Sequence, residues 1–296
     1  MNILVLGRTG QLATGLRQAV GAASDVHLRF AGRDEADLAV EAAAARLIAS
    51  ERPDLIVNAA AYTAVDRAES EPELADRING SAPGEAAAAA AAIGAGFIHV
   101  STDYVFGQGE ALRPRLEQDP VAPDSAYGRS KLLGEQNVRT AHPQALIVRT
   151  AWVYGPWGSN FVRTMLRLAR DRDELRVVAD QHGCPTHAGD LAETILALAR
   201  RWPEPAGLTL HAAGGDEANW AEFADGIFAA SAAVGGPVAR VVPITTEEFG
   251  APASRPRNSR LDCVLMRARF GLELPGWRSR IGPLVEELLE NGSRAA

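Results

Sequence analysis

Apolar positions fall in short, nearly unbroken blocks, and the stretches between the blocks are of helical length. Residues 2–6 (Asn-Ile-Leu-Val-Leu), 26–31, 55–59, 97–101 and 145–149 are such blocks, each five or six residues long. Consecutive apolar residues over that length fit strands buried on both faces, as in a parallel sheet. Between them, 14–20, 40–50 and 82–93 read as helices, and the Ala-rich tracts at 42–45 and 86–92 are helix-forming sequence. Strand, helix, strand in that order implies right-handed βαβ crossovers. The predicted fold is therefore α/β, a doubly wound parallel sheet of Rossmann-like type.

After residue 150 the rhythm loosens. A Trp/Tyr/Gly/Pro segment at 152–158 leads into a helix over 160–171, and a loop punctuated by Gly and Pro spans 180–189. A helix over 190–201 and a strand over 208–212 then look like one more unit of the main sheet. This predicts a dinucleotide-binding domain from 1–150 and 182–215. A second, smaller substrate-binding lobe is expected from 151–181 and 216–296. Ligands of such sheets sit outside the carboxyl ends of the strands, where these loops gather.

Composition narrows the partners. The chain has 296 residues, 47% of them hydrophobic, enough for a large core, and a formal charge of −7. That balance argues against nucleic acid, which is held by basic stripes. No stretch approaches the length of a membrane span, no basic apolar leader opens the chain, and Cys184 and Cys263 form no framework. A cytoplasmic protein is expected, monomeric or homodimeric.

Candidate chemistry collects at the predicted strand ends. Gly7-Arg-Thr-Gly10-Gln11-Leu12-Ala13 follows the first strand and opens a helix, as expected of a turn that aims a helix N-terminus at an anion. Its spacing is not G-x-G-x-x-G, and a turn without ligand would look similar. Arg33 stands at the end of the second strand, where NAD-preferring enzymes carry an acid; an Arg there pairs with a 2′-phosphate. NADPH is thus the expected cofactor, with NADH possible and Arg8 assisting. Tyr127 and Lys131 lie four apart on one helix face, so the ammonium can make the phenol more acidic. Read alone, such a pair is more often a packed ring with a solvated amine. Thr102, after another strand, can bind the carbonyl oxygen that Tyr127 protonates, and Lys131 can also bind a ribose hydroxyl; together the three suit carbonyl reduction by hydride.

Seven segments carry a family resemblance: Gly7-x-x-Gly10-Gln-Leu, Asn58-Ala-Ala-Ala-Tyr-Thr63-Ala-Val-Asp66, residues 68–75, Ser101-Thr-Asp-Tyr-Val-Phe106, Tyr127-x-x-x-Lys131, Arg149-Thr-Ala-Trp152-Val-Tyr154 and Ala253-Ser-Arg255-Pro-x-Asn258-Ser-Arg260-Leu261. From end to end the chain resembles the dTDP-4-dehydrorhamnose reductase family of the extended short-chain dehydrogenase/reductases. The resemblance implies reduction of the 4-keto group of dTDP-4-dehydro-L-rhamnose. In that pattern Tyr127 is the proton donor, Lys131 its pKa-lowering and ribose-binding partner, and Thr102 the third member. Thr102, Asp103 and Trp152 contact the sugar. Gly10, Gln11, Leu12, Asp37, Leu38, Ala61, Tyr62 and Thr63 line the dinucleotide.

A diphosphate needs local cations, and Arg255, Arg257 and Arg260 offer a basic knot in the second lobe. Asn160 and Arg163, at a helix start, are further phosphate candidates. Similar dehydratases place an acidic pair after the active-site Thr, whereas here Tyr104 follows Asp103. A cofactor-binding subunit without turnover is the other rival. Zinc at His182-Gly-Cys184-Pro-Thr-His187 lacks a fourth ligand. Gly15 and Gly189 stand where some members of the family carry metal-bridging glutamates, so no metal is expected.

Overall fold

The computed structural model describes residues 1–21, 25–108 and 113–294. Its strands are β1 (Asn2–Leu6), β2 (His27–Ala31), β3 (Leu55–Asn58), β4 (Gly96–Thr102), β5 (Leu146–Thr150), β6 (Val153–Tyr154), β7 (Glu174–Val178), β8 (His182–Gly183), β9 (Thr186–His187), β10 (Thr209–His211), β11 (Ala218–Asn219) and β12 (Arg240–Ile244). Six of them form one parallel sheet in the order β10-β5-β4-β3-β1-β2. Pattern explains placement. Along β1, Ile3 and Val5 face one core with Leu55, Val57, Ile98, Leu146 and Val148. Leu4 and Leu6 face the opposite core with Ile56, Phe97 and the Ala-rich helix Ala82–Ala92. Both faces are covered, which is why these strands read as continuous apolar runs.

From β1 the chain moves outward to β2 and then crosses back over β1 to β3. That reversal opens a crevice between the carboxyl ends of β1 and β3, the usual seat of a ligand in such sheets. The helix Gln11–Ala19 starts there and packs on the helix Ala188–Arg200. Contact is close: a Cβ on Gly15 would lie 2.9 Å from the Ala188 carbonyl oxygen, so no side chain fits at that position.

A second core is built from Tyr154, Val162, Met165, Leu166, Leu175, Val177, Phe223, Ile227, Trp277, Ile281 and Val285. It joins the helices Phe161–Leu168, Trp220–Ala233 and Trp277–Arg294 to the parallel pair β7–β12. The 180–189 segment is more ordered than a loop: β8 pairs antiparallel with β11, and β9 parallel with β6. Met266, Phe270 and Leu274, within the stretch assigned by sequence to the second lobe, instead pack on the core under the main sheet. Among the described residues no helix is long and apolar enough to cross a membrane.

Candidate active site

A cavity of about 1040 Å³ runs from the Gly7–Gly10 turn, past β3 and β4, to Tyr127 and Trp152. Gly7 has φ +111°, and a Cβ there would come within 3.3 Å of the Ala60 amide nitrogen, so the turn and the β3 loop touch through a residue with no side chain. Gly10 is different. It is the N-cap of the helix Gln11–Ala19, and a Cβ on it would meet nothing within 4 Å. The backbone is thus open to a ligand at a helix N-terminus, an arrangement that suits phosphate.

Thr102 ends β4, and Tyr127 and Lys131 stand on the helix Ala126–Ala141, which Ser125 caps by accepting from the Gly128 amide at 3.1 Å. All three residues line the cavity and are at least nine-tenths buried. The Thr102 hydroxyl donates to Asp103 Oδ1 at 2.9 Å. Lys131 Nζ donates to the Val100 carbonyl at 2.8 Å. Burial pushes the Tyr127 phenol up to about 12, although the Thr102 hydroxyl draws it back, and the negative charge of Asp103 pushes the same way as burial. The expected acidification of Tyr127 by Lys131 is not seen. Desolvation is the largest cause of the upward shift, and the same burial brings Lys131 down to about 8, with Glu135 one helical turn further on opposing the shift.

Asp103 is 2% exposed, and burial lifts its carboxyl to about 6 against the hydroxyls of Thr102 and Ser259. Tyr104 packs edge-on against Tyr127, with ring centroids 5.3 Å apart. Below the site, His99 is fully buried, 3.1 Å from Asn58 Nδ2, and held neutral by desolvation and by Lys131.

A π-helical turn at Asp76–Ser81 supplies a residue that no motif indicated. Buried Asn79 accepts from the Tyr62 amide at 2.8 Å, donates to the Tyr62 carbonyl at 3.0 Å and donates to Ser130 Oγ at 3.0 Å. Ser130 in turn donates to the Tyr127 carbonyl at 2.8 Å. One amide therefore ties the loop after β3 to the helix of Tyr127. π-turns of this kind recur at functional sites.

Of the residues singled out from sequence, Gly7, Gly10, Gln11, Leu12, Arg33, Asp37, Leu38, Ala61, Thr63, Thr102, Asp103, Tyr127, Lys131 and Trp152 line the cavity. Arg8 lines it too, but Tyr62, Asn160, Arg163, Arg255, Arg257 and Arg260 do not. The Tyr62 hydroxyl turns to Glu71 at 2.5 Å. Asn160 caps its own helix, and its amide donates to Gln11 Oε1 at 3.0 Å. Arg255 Nη2 donates to both carboxylate oxygens of Asp66 at 3.0 and 2.9 Å, Arg257 pairs with Glu247, and Arg260 reaches Glu217 at 3.0 Å. Arg255, Arg257 and Arg260 thus each already have a carboxylate partner, because the acidic surface supplies one within reach, whereas Arg163 donates to the Pro156 carbonyl at 2.6 Å.

The second-lobe wall is aromatic. Trp152 has φ +48°, a strained value for a bulky residue, and its indole stacks on Trp220 with centroids 3.4 Å apart and planes 5° from parallel. Trp152 Nε1 donates to Ser259 Oγ at 3.0 Å. Trp220 also lines the cavity, a role that nothing in its local sequence suggests. Cys184 and Cys263, distant in sequence, meet at a separate cavity of about 150 Å³ as free thiols. Among the described residues no group of three or more His, Cys, Asp or Glu is placed to hold a metal ion.

The model of the family described as RmlD substrate binding domain matches residues 1–290. A dTDP-4-dehydrorhamnose reductase of Sinorhizobium fredii is 44% identical, over 100% of both chains. That of Escherichia coli strain K12 is 41% identical, over 97% of this chain and 98% of its own. Among solved structures, the reductase of Clostridium acetobutylicum superposes with a TM-score of 0.91 at 37% identity, covering 98% of this chain and 100% of the other. The Bacillus anthracis reductase, in complex with NADP, gives 0.89 at 35%, covering 97% and 99%. With a family match along nearly its whole length and relatives above 40% identity from end to end, the chain belongs to the dTDP-4-dehydrorhamnose reductase family.

Proposed function

We propose that the chain reduces the 4-keto group of dTDP-4-dehydro-L-rhamnose to give dTDP-L-rhamnose, using NADPH and, less well, NADH. The observation that carries this reading is the gathering of Thr102, Tyr127 and Lys131 on the wall of a cleft that begins at the Gly7–Gly10 turn. The cleft suits a dinucleotide because Gly10 leaves an open helix N-terminus and Gly7 lets the neighbouring loop close in. Gly10, Gln11 and Leu12 would hold the pyrophosphate, Ala61 and Thr63 the middle of the molecule, and Lys131 a ribose hydroxyl. Bound there, the nicotinamide supplies the hydride.

The remaining steps belong to the chain. The hydroxyls of Thr102 and Tyr127 bind the carbonyl oxygen and orient it. As that oxygen becomes an alkoxide, the Tyr127 O–H bond breaks and the proton passes to the substrate. A phenol lifted to about 12 keeps its proton at neutral pH and yields it only to an oxygen as basic as an alkoxide. Asp103 accepts a sugar hydroxyl, and the Trp152–Trp220 stack forms an apolar wall for the ring. Arg255, near the rim, exchanges Asp66 for the diphosphate. We assign 1–150 and 182–215 to the dinucleotide domain and 151–181 and 216–296 to the sugar lobe, with 264–274 packing back on the sheet. The cytoplasm is the proposed compartment, and the assembly a monomer or homodimer. Incubation with NADPH and the keto-sugar should oxidise the dinucleotide and yield the reduced sugar; binding of NADPH without consumption would sink the proposal.

A further inference from the structure

Asp103 and Trp152 line the cavity, whereas Ser259, 2% exposed, stands behind them and does not reach it. Its backbone fixes it there. The Ser259 amide donates to the His182 carbonyl at 2.8 Å, next to the bridge that joins Asn258 to His182 of β8. The Ser259 oxygen accepts from Trp152 Nε1 at 3.0 Å. Its one hydroxyl proton then has two acceptors within reach, the His182 carbonyl at 3.3 Å and the Asp103 carboxylate.

Asp103 has need of that proton. Oδ1 accepts from Thr102 at 2.9 Å, but Oδ2 is buried and has no hydrogen-bond partner among the described residues. Burying an anion with an unfilled oxygen is costly, and a hydroxyl polarised by an N–H donor is a better donor to it. Trp152 Nε1, Ser259 Oγ and the Asp103 carboxylate thus form a row in which each bond strengthens the next. The indole has little other freedom. Trp220 covers one face, and a Cβ on Gly183 would lie 2.3 Å from Trp152 Cε2, so the ring edge rests on bare backbone.

We propose that Ser259 is a positioning residue for the sugar: from behind the cavity wall its hydroxyl holds the Trp152 indole and the Asp103 carboxylate in a fixed relation, so that the two grip the sugar as a unit. The inference rests on the reading of this cleft as the keto-sugar site. Its electrical consequence has a definite sign. The Asp103 carboxyl stands at about 6, so the anion is present above that pH and lost below it, and Ser259 favours the anion. Without the hydroxyl the carboxyl must rise further. Facing Asp103 are Tyr104, Tyr127 and Cys184, which burial pushes up and keeps neutral near pH 6. Lys131, beyond Tyr127, remains a cation there, and Arg255 bears on Tyr104.

The test follows kcat/KM for the keto-sugar against pH in wild type and Ser259→Ala, with Kd for NADPH, and follows the Asp103 carboxyl directly by carbon NMR. Histidines titrate in the same range and His182 is exposed close by, so every profile is taken in a His182→Gln background. Ser259→Ala should move the acid limb and the Asp103 midpoint up by about one pH unit, because a hydrogen bond to the charged form is lost. KM for the sugar at pH 8 should rise about five- to tenfold, with Kd for NADPH unchanged. Ser259→Cys has nearly the same shape but is a weak donor and acceptor; it should behave alike, and it carries the test if the Ala variant does not fold. An unmoved Asp103 midpoint overturns the inference. So does a Kd for NADPH that weakens in step with KM, the mark of a purely structural role. Absence of keto-sugar turnover in wild type would instead bring down the reading of the cleft itself.

Discussion

On the sheet side of the cleft, each residue of interest hangs on a strand end or on the first turns of the helix that follows. Gly7 and Gly10 follow β1, Ala61 and Thr63 follow β3, Thr102 and Asp103 follow β4, and Tyr127 and Lys131 sit near a helix start. On the opposite side, position comes from partners distant in sequence: Trp152 is set by Trp220 and Ser259, and Arg255 by Asp66. The difference is one of mechanism. Backbone geometry places the first group, and a short motif suffices to reveal it. Long-range pairing places the second, and residue type alone misleads.

The largest expected effect tests the sheet side. Tyr127→Phe removes the proposed proton donor with little change of shape, so turnover should fall by about 10²–10⁴-fold while dinucleotide binding is retained. Wild-type turnover in this variant, with chemistry rate-limiting, would remove Tyr127 from its role.

Beneath Lys131 lies an ion pair that supports the same wall. Arg149 on β5 binds Glu135 at 2.9 and 2.7 Å, and both side chains are less than a tenth exposed. Breaking a buried pair leaves a charge without compensation, so Glu135→Gln should lower unfolding free energy by about 3–5 kcal/mol in a denaturant titration. The same variant sharpens the electrostatics. The Lys131 ammonium is depressed to about 8, so the cation is present below that pH and lost above it. Wild-type kcat/KM should therefore decline above about pH 8. Glu135→Gln, which removes the anion that opposes the shift, should move that limb to lower pH. A profile flat to pH 10 would contradict this.

A smaller effect is expected at the rim. If Arg255 exchanges Asp66 for diphosphate, Arg255→Ala should raise KM for the nucleotide sugar about tenfold with kcat nearly unchanged, whereas Asp66→Asn should leave KM equal or lower. A rise in KM from Asp66→Asn would mean that the pair is purely structural. Smallest of all, Trp220→Ala should raise KM only a few-fold, because the wall loses one layer of an aromatic stack. An effect as large as that of Tyr127→Phe would reverse the ranking of the two walls.

The parallel sheet and the return of 208–212 to it were legible because apolar runs and helical stretches alternate plainly, while the strand order was not read from sequence. The sheet-side wall was legible for the same reason, since its residues keep fixed offsets from strand ends. Asn79 was not, because a buried Asn inside helical sequence carries no mark that it will bracket Tyr62. Of the arginine knot, the charge was legible and the partners were not. A cation in an acidic chain finds a carboxylate more readily than it waits for a ligand, and which carboxylate depends on the tertiary fold. Helical spacing makes Tyr127 and Lys131 neighbours, but it does not reveal the depth at which both are buried, which lifts the phenol and lowers the ammonium.

Gln11 sits on both walls at once. Its backbone belongs to the Gly-rich turn, while its side chain donates to the Val153 carbonyl at 3.3 Å and accepts from Asn160. A ligand arriving at the turn thus touches a residue already fastened to the far lobe. Such a link makes the two halves of the reaction thermodynamic neighbours: whatever factor the dinucleotide adds to the grip on the sugar, the sugar must return to the dinucleotide.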